Sequence, residues 1–172
     1  MKGMGPLDFG MVIAYLLPGF LAFYGLRYVS PATNQLLSLS LAKDGGIGVE
    51  ISVVLFALLA GVVVSALRAN LLDRIQEWSG VKEPDFDYSK LTDPNVLKSF
   101  EATIANTYRF AQFYGNAFVA LLFLTAARAW GSGTLVVLNP VFGIIVASLV
   151  VLFVAHRQQL TQAYQTIRDV LT

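Results

Sequence analysis

Hydrophobic and polar positions fall along this chain in long blocks, and the blocks predict helices. Four apolar runs, at about 9–29, 49–67, 112–130 and 134–155, are each long enough to cross a hydrocarbon core of about 30 Å at 1.5 Å per residue. The one sizeable polar stretch, Arg68 to Gln112, separates the second run from the third. The expected fold is an all-α integral membrane protein, a single membrane domain in which four transmembrane helices form a bundle with cytoplasmic helical extensions. Those extensions are a helical hairpin over about 68–111 and an amphipathic C-terminal helix over 156–172.

The apolar pattern does not stop where the membrane does. Leu67, Leu71, Ile75 and Trp78 carry one helical face beyond the second run, through Arg68, Asp73, Arg74 and Glu77, to a stop at Ser79-Gly80. Thr92-Asp93-Pro94 starts the next helix, because Asp93 can cap it and Pro94 suits the first helical position. Leu97, Phe100, Ile104, Tyr108 and Ala111 then step toward the third run, giving one helix from Pro94 to about Trp130, roughly 55 Å long. Leu160, Tyr164, Ile167 and Leu171 form a coiled-coil-like stripe that packs on the hairpin or on a second copy. Together Leu71, Ile75, Trp78, Leu97, Phe100, Ile104, Leu160, Tyr164, Ile167 and Leu171 are the expected cytoplasmic interaction face.

Breaks and small residues mark other positions. Pro18 cannot donate to the Ala14 carbonyl and Gly19 adds freedom, so a kink is expected inside the first run. Asn139-Pro140 reads as a helix start within the fourth. With the amides of Gln112, Asn116 and Asn139, these breaks are candidate pore or kink residues, helix-to-helix hydrogen bonding being the more ordinary use of such amides. Ala57, Gly61 and Ser65 recur every four residues, and Gly143 and Ala147 supply a second small-residue face, so both stripes are expected at close helix contacts. Between Ser30 and Gly48, Leu36, Leu37, Leu39 and Leu41 suffice for a short helix lying in the interface. Glu83, Asp85 and Asp87 alternate without the glycine turn or distal glutamate of a calcium loop, which leaves a solvated loop.

Composition agrees with the membrane class: 56% hydrophobic and 13% charged residues, with a mean hydropathy of +0.64. The absence of cysteine excludes disulfides and thiolate chemistry, and a net charge of +1 argues against a nucleic-acid partner. The first run is too long for a signal-peptide core and is expected to stay in place as a helix. Lys2, the basic residues of the central stretch, Arg157 and Arg168 fall on one side, and Arg27, Lys43 and Arg128 on the other. The richer side, with both termini, is therefore expected in the cytoplasm.

Candidate chemistry is sparse. Glu50, Arg27 and Arg128 sit near the outer ends of their runs, where Glu50 either pairs with an arginine or snorkels. His156, the sole histidine, is expected at the interface, and Ser52, Ser65 and Ser148 have no base at a matching depth. No catalytic, cofactor-binding or metal-ligating residue is assigned. The plan resembles the small membrane subunits of bacterial multi-component systems. The expected function is a non-enzymatic, homo-oligomeric inner-membrane subunit that presents a cytoplasmic helical platform to a soluble partner; the alternative is an oligomeric pore or small-solute permease.

Overall fold

A computed structural model describes residues 10, 12–42, 46–132 and 140–171, and every regular element among them is helical. Helix α1 (Val12–Leu26) opens with a π-helical turn, Val12–Leu16, directly before Pro18. The expected irregularity at Pro18-Gly19 thus takes the form of a widened turn upstream of the proline. The helix ends at Leu26, and Val12–Leu26 is about 22 Å long. Ser30 then caps α2 (Pro31–Leu41), its hydroxyl accepting from the Thr33 N–H at 3.3 Å, and α1 and α2 meet at 116°.

Helix α3 (Ile47–Trp78) runs through a π-helical turn at Arg68–Leu72 and stops at Gly80, whose φ of +98° is a left-handed geometry that glycine adopts without a Cβ clash. Asp93 caps α4 (Pro94–Thr103), accepting from the Asn95 N–H at 2.8 Å. A further π-helical turn, Ile104–Tyr108, joins α4 to α5 (Arg109–Ser132). Helix α6 (Pro140–Leu171) is unbroken over 32 residues. Three helices, Ile47–Trp78, Arg109–Gly131 and Val141–Leu171, are long and apolar enough to cross a membrane, or four spans if α1 and α2 together make one.

Contacts fix the helix directions. Gly115 lies against Arg68, Val81 packs with Ala111, and Val64 with Ala120, so α3 and α5 are antiparallel. His156 and Leu160 meet Gly115 and Ala111 in the same way, setting α6 antiparallel to α5. Helix α1 lies parallel to α5, with Ala14 at Asn116 and Gly25 at Leu124. The α1–α3 contact depends on two glycines. A Cβ on Gly19 would overlap the Ala57 carbonyl, and one on Gly61 would overlap the Tyr15 carbonyl. Ala57 and Gly61 are therefore buried between backbones in near contact, with Ser65 half-buried behind them.

At the polar end, Leu160, Ala163, Ile167 and Leu171 of α6 are buried, packing with α4, the Ile104–Tyr108 turn and Val81. The loop after α3 is drawn onto α6, where both terminal nitrogens of Arg157 donate to Ser79. Asp87 opens a 3₁₀ turn, Tyr88–Thr92, and hydrogen bonds from Ser89 hold its carboxyl below the usual aspartate range.

Candidate functional site

Where α3, α5 and α6 meet, the bundle encloses a group of polar side chains. Arg68 donates to Asp73 Oδ2 at 2.6 Å, and His156 Nε2 is 3.2 Å from Asp73 Oδ1. The other imidazole nitrogen, Nδ1, is 2.8 Å from the Ala111 carbonyl oxygen. A carbonyl only accepts, so Nδ1 carries a proton there. Nε2 lies within ion-pair distance of Asp73 but off the line of a hydrogen bond. Gly115 makes this possible: a Cβ there would stand 2.6 Å from Arg68 Cδ and 2.9 Å from His156 Nδ1.

Burial is nearly complete. His156 and Gln76 are 0% exposed and Arg68 is 4% exposed. The neighbouring Tyr108 hydroxyl is pushed above its usual range, chiefly by burial and also by Asp73 and Glu83, with Arg68 opposing. Charges withdrawn from water this far persist only when paired. His156, placed at the end of an apolar run, is buried inside the bundle as a tie between α6, α5 and α3. Both of its nitrogens face acceptors and no hydroxyl stands beside them among the hydrogen bonds of the described residues, so the group has the form of a structural node.

The π-helical turn at Arg68–Leu72 explains how the node is assembled. In an uninterrupted α-helix, Leu71, Ile75 and Trp78 would continue the buried face of Ala57, Gly61 and Val64. The π turn takes up an extra residue and rotates that face by about 100°. Arg68, four residues after Val64, keeps its place on the inward face, Leu72 and Gln76 turn inward beyond it, and Leu71, Ile75 and Trp78 turn out. Leu71, Ile75 and Trp78, named in the sequence as part of an interaction face, are therefore exposed within the chain. The turn at Ile104–Tyr108 has the same effect on α5, burying Ala111 and leaving Phe110 exposed.

A second polar tie answers the missing donor of Pro18. Asn116, 0% exposed, donates from Nδ2 to the Ala14 carbonyl at 2.7 Å. Ala14 is the residue whose intrahelical partner a proline at position 18 removes. Asn116→Leu is expected to destabilise the fold by about 1–3 kcal/mol through the unsatisfied carbonyl. In a Pro18→Ala background the restored N–H makes the amide redundant, so the same substitution should cost much less. A double-mutant cycle on thermal unfolding in detergent checks this, and additive effects would show that Asn116 acts elsewhere.

The remaining sequence-derived residues divide. Gln112 accepts from Arg109 at 3.4 Å. Pro140 begins α6, and Asn139 lies outside the described residues. Gly143 and Ala147, expected at a close helix contact, are both exposed, and a Cβ on Gly143 would meet nothing within 4 Å. Of the expected interaction face, Leu160, Ile167 and Leu171 are covered within the chain, and Tyr164, Phe100 and Ile104 are half-buried. Leu71, Ile75, Trp78 and Leu97 stay exposed, at 60, 46, 84 and 39%. Glu50 is exposed, while Arg27 donates to the Tyr24 hydroxyl at 2.9 Å and stacks on Tyr24 and Tyr28.

Two cavities are lined by described residues. A cleft of about 600 Å³ between α1, α2, α3 and α5 is lined by apolar side chains and Thr33. A crevice of about 280 Å³ lies between the loop after α3 and the polar half of α6. Among the described residues no group of histidine and acidic side chains could hold a metal ion. No family model, curated protein or solved structure matches the chain.

Proposed function

We propose that this chain is a non-enzymatic integral membrane subunit of the bacterial inner membrane. Its termini and polar end face the cytoplasm, where they form a rigid helical platform for a soluble protein. The observation that carries this reading is the outward row Leu71, Ile75 and Trp78 on a helical assembly whose core, Val81, Ala111 and Leu160, packs against itself. A helix end held by internal packing, with large apolar side chains turned away from that packing, is suited to bind rather than to react. The excess of lysine and arginine at this end supports its cytoplasmic placement.

Self-association in the membrane fits the same reading. The apolar window of Val141–Leu171 is only 6% buried, against 39% for that of Arg109–Gly131. Gly143 and Ala147 lie four apart on this uncovered helix, a spacing that lets two backbones approach in lipid. The permease alternative draws less support, since Asn116 is enclosed against Ala14 and lines no open path within the chain.

The test is the mass and composition of the complex purified in mild detergent from its own host. A symmetric oligomer carrying a stoichiometric soluble protein is expected. Ile75→Asp with Trp78→Asp should release that protein and leave the oligomer intact. Retention of the same complex and of cellular function in the doubly charged variant would remove the platform reading.

A further inference from the structure

The crevice beside α6 has a chemistry that neither the node nor the platform uses. Arg157, Thr161, Tyr164, Gln165 and Arg168 form one face of the helix, and the loop at Gly80, Val81, Lys82 and Pro84 covers it. Three of these lining residues are cations, Lys82, Arg157 and Arg168, and none is acidic. Among the described residues none of the three forms an ion pair, although Asp73 does so with both Arg68 and His156. Glu83 and Glu77 act on Tyr164 from a distance but line no part of the crevice. Arg157 is fixed in place by its two bonds to Ser79, so one charge is held before any ligand arrives.

Gathering three cations around one concavity costs Coulomb repulsion that an anion relieves. The hydroxyl of Tyr164 and the amide of Gln165 add neutral donors among those charges, while the Thr161 hydroxyl is engaged with the Arg157 carbonyl at 2.9 Å. Arginine forks with hydroxyl donors suit the several acceptor oxygens of a phosphate group better than a single carboxylate. Arg157 and Arg168 lie eleven positions apart, about 16 Å along the helix axis. That length favours an extended ligand bearing more than one phosphate. We propose that this crevice is a binding site for a phosphate-bearing ligand, gripped by Lys82, Arg157 and Arg168. The inference is independent of the platform reading, since it needs no protein partner.

Two sources share this chemistry, a soluble phosphorylated compound and an anionic lipid headgroup. The full chain in neutral maltoside micelles would be titrated with pyrophosphate by calorimetry. In parallel, its retention of phosphatidylglycerol would be measured by native mass spectrometry after exposure to mixed phosphatidylcholine and phosphatidylglycerol. Lys82→Gln with Arg168→Gln leaves the Arg157–Ser79 contact in place, and Lys98→Gln, on α4, controls for general loss of positive charge. The double variant is expected to weaken one of the two by about tenfold or more, with the control unchanged and all three proteins melting together. Loss of pyrophosphate binding identifies a soluble ligand, and loss of lipid retention identifies a headgroup. Absence of both interactions in the unaltered protein, or equal loss in the Lys98→Gln control, overturns the proposal.

Discussion

Asp73→Ala is expected to destabilise the protein by about 3–5 kcal/mol, the cost of breaking a buried pair from one side. The substitution leaves the Arg68 side chain, 5% exposed, without its carboxylate, and leaves His156 Nε2 facing no anion. Asp73 is itself 23% exposed at the side chain, so the loss falls mainly on the partners it leaves behind. Asp73→Asn keeps an acceptor for Arg68 and should fall between the alanine variant and the unaltered protein. Arg68→Met with Asp73→Leu removes both charges at similar volume and is expected to be milder, because the buried guanidinium goes together with its carboxylate. Stability would be read from reversible unfolding in mixed detergent and SDS micelles. If Asp73→Ala lay within about 1 kcal/mol of the unaltered protein, the pair would be behaving as a solvated surface contact and the node would carry no structural weight.

The difference between what residue pattern revealed and what it concealed comes down to local geometry. The caps at Asp93-Pro94 and the stop at Gly80 were legible because each depends on a few adjacent residues whose chemistry allows little else. The long helices were legible because hydrocarbon thickness demands uninterrupted apolar length. The node was not. It consists of Arg68 and Asp73 near one helix end and His156 far away in sequence, and a 3.6-residue repeat carried past Arg68 points to Leu71, Ile75 and Trp78. A single π turn exchanges that set for Leu72 and Gln76, and no residue in Arg68–Leu72 announces it. One signal lay within reach: the small-residue row Ala57, Gly61 and Ser65 marks the inward face, and extending it four residues at a time leads to Ala69 and to Asp73, a member of the node. The Pro18 break was legible as a missing donor, whereas its remedy by Asn116 depends on a contact 102 positions away. Gly143 shows the converse, since a small residue in an apolar helix marks a contact only if another helix comes to it.

That contrast makes glycine substitutions the sharpest test of the helix packing. Gly61→Leu is expected to cost at least about 3 kcal/mol, the upper range of overpacking effects, because the obstruction is the Tyr15 carbonyl and not a movable side chain. Backbone held by its own helix cannot step aside unless α1 and α3 separate, and separating them also draws Ala14 away from Asn116. Even Gly61→Ala should be clearly destabilising, since a Cβ alone creates the overlap. Gly143→Leu meets open space and should leave unfolding unchanged or slightly favour the folded state, as leucine is the better helix former. If α6 supplies the contact between copies, however, Gly143→Leu shifts the detergent-solubilised protein toward monomer without unfolding it. Measuring unfolding and mass on the same samples separates the two roles. Equal stability of the Gly61→Leu and Gly143→Leu variants would contradict the close α1–α3 approach. An unchanged mass for Gly143→Leu would move any self-association to another face.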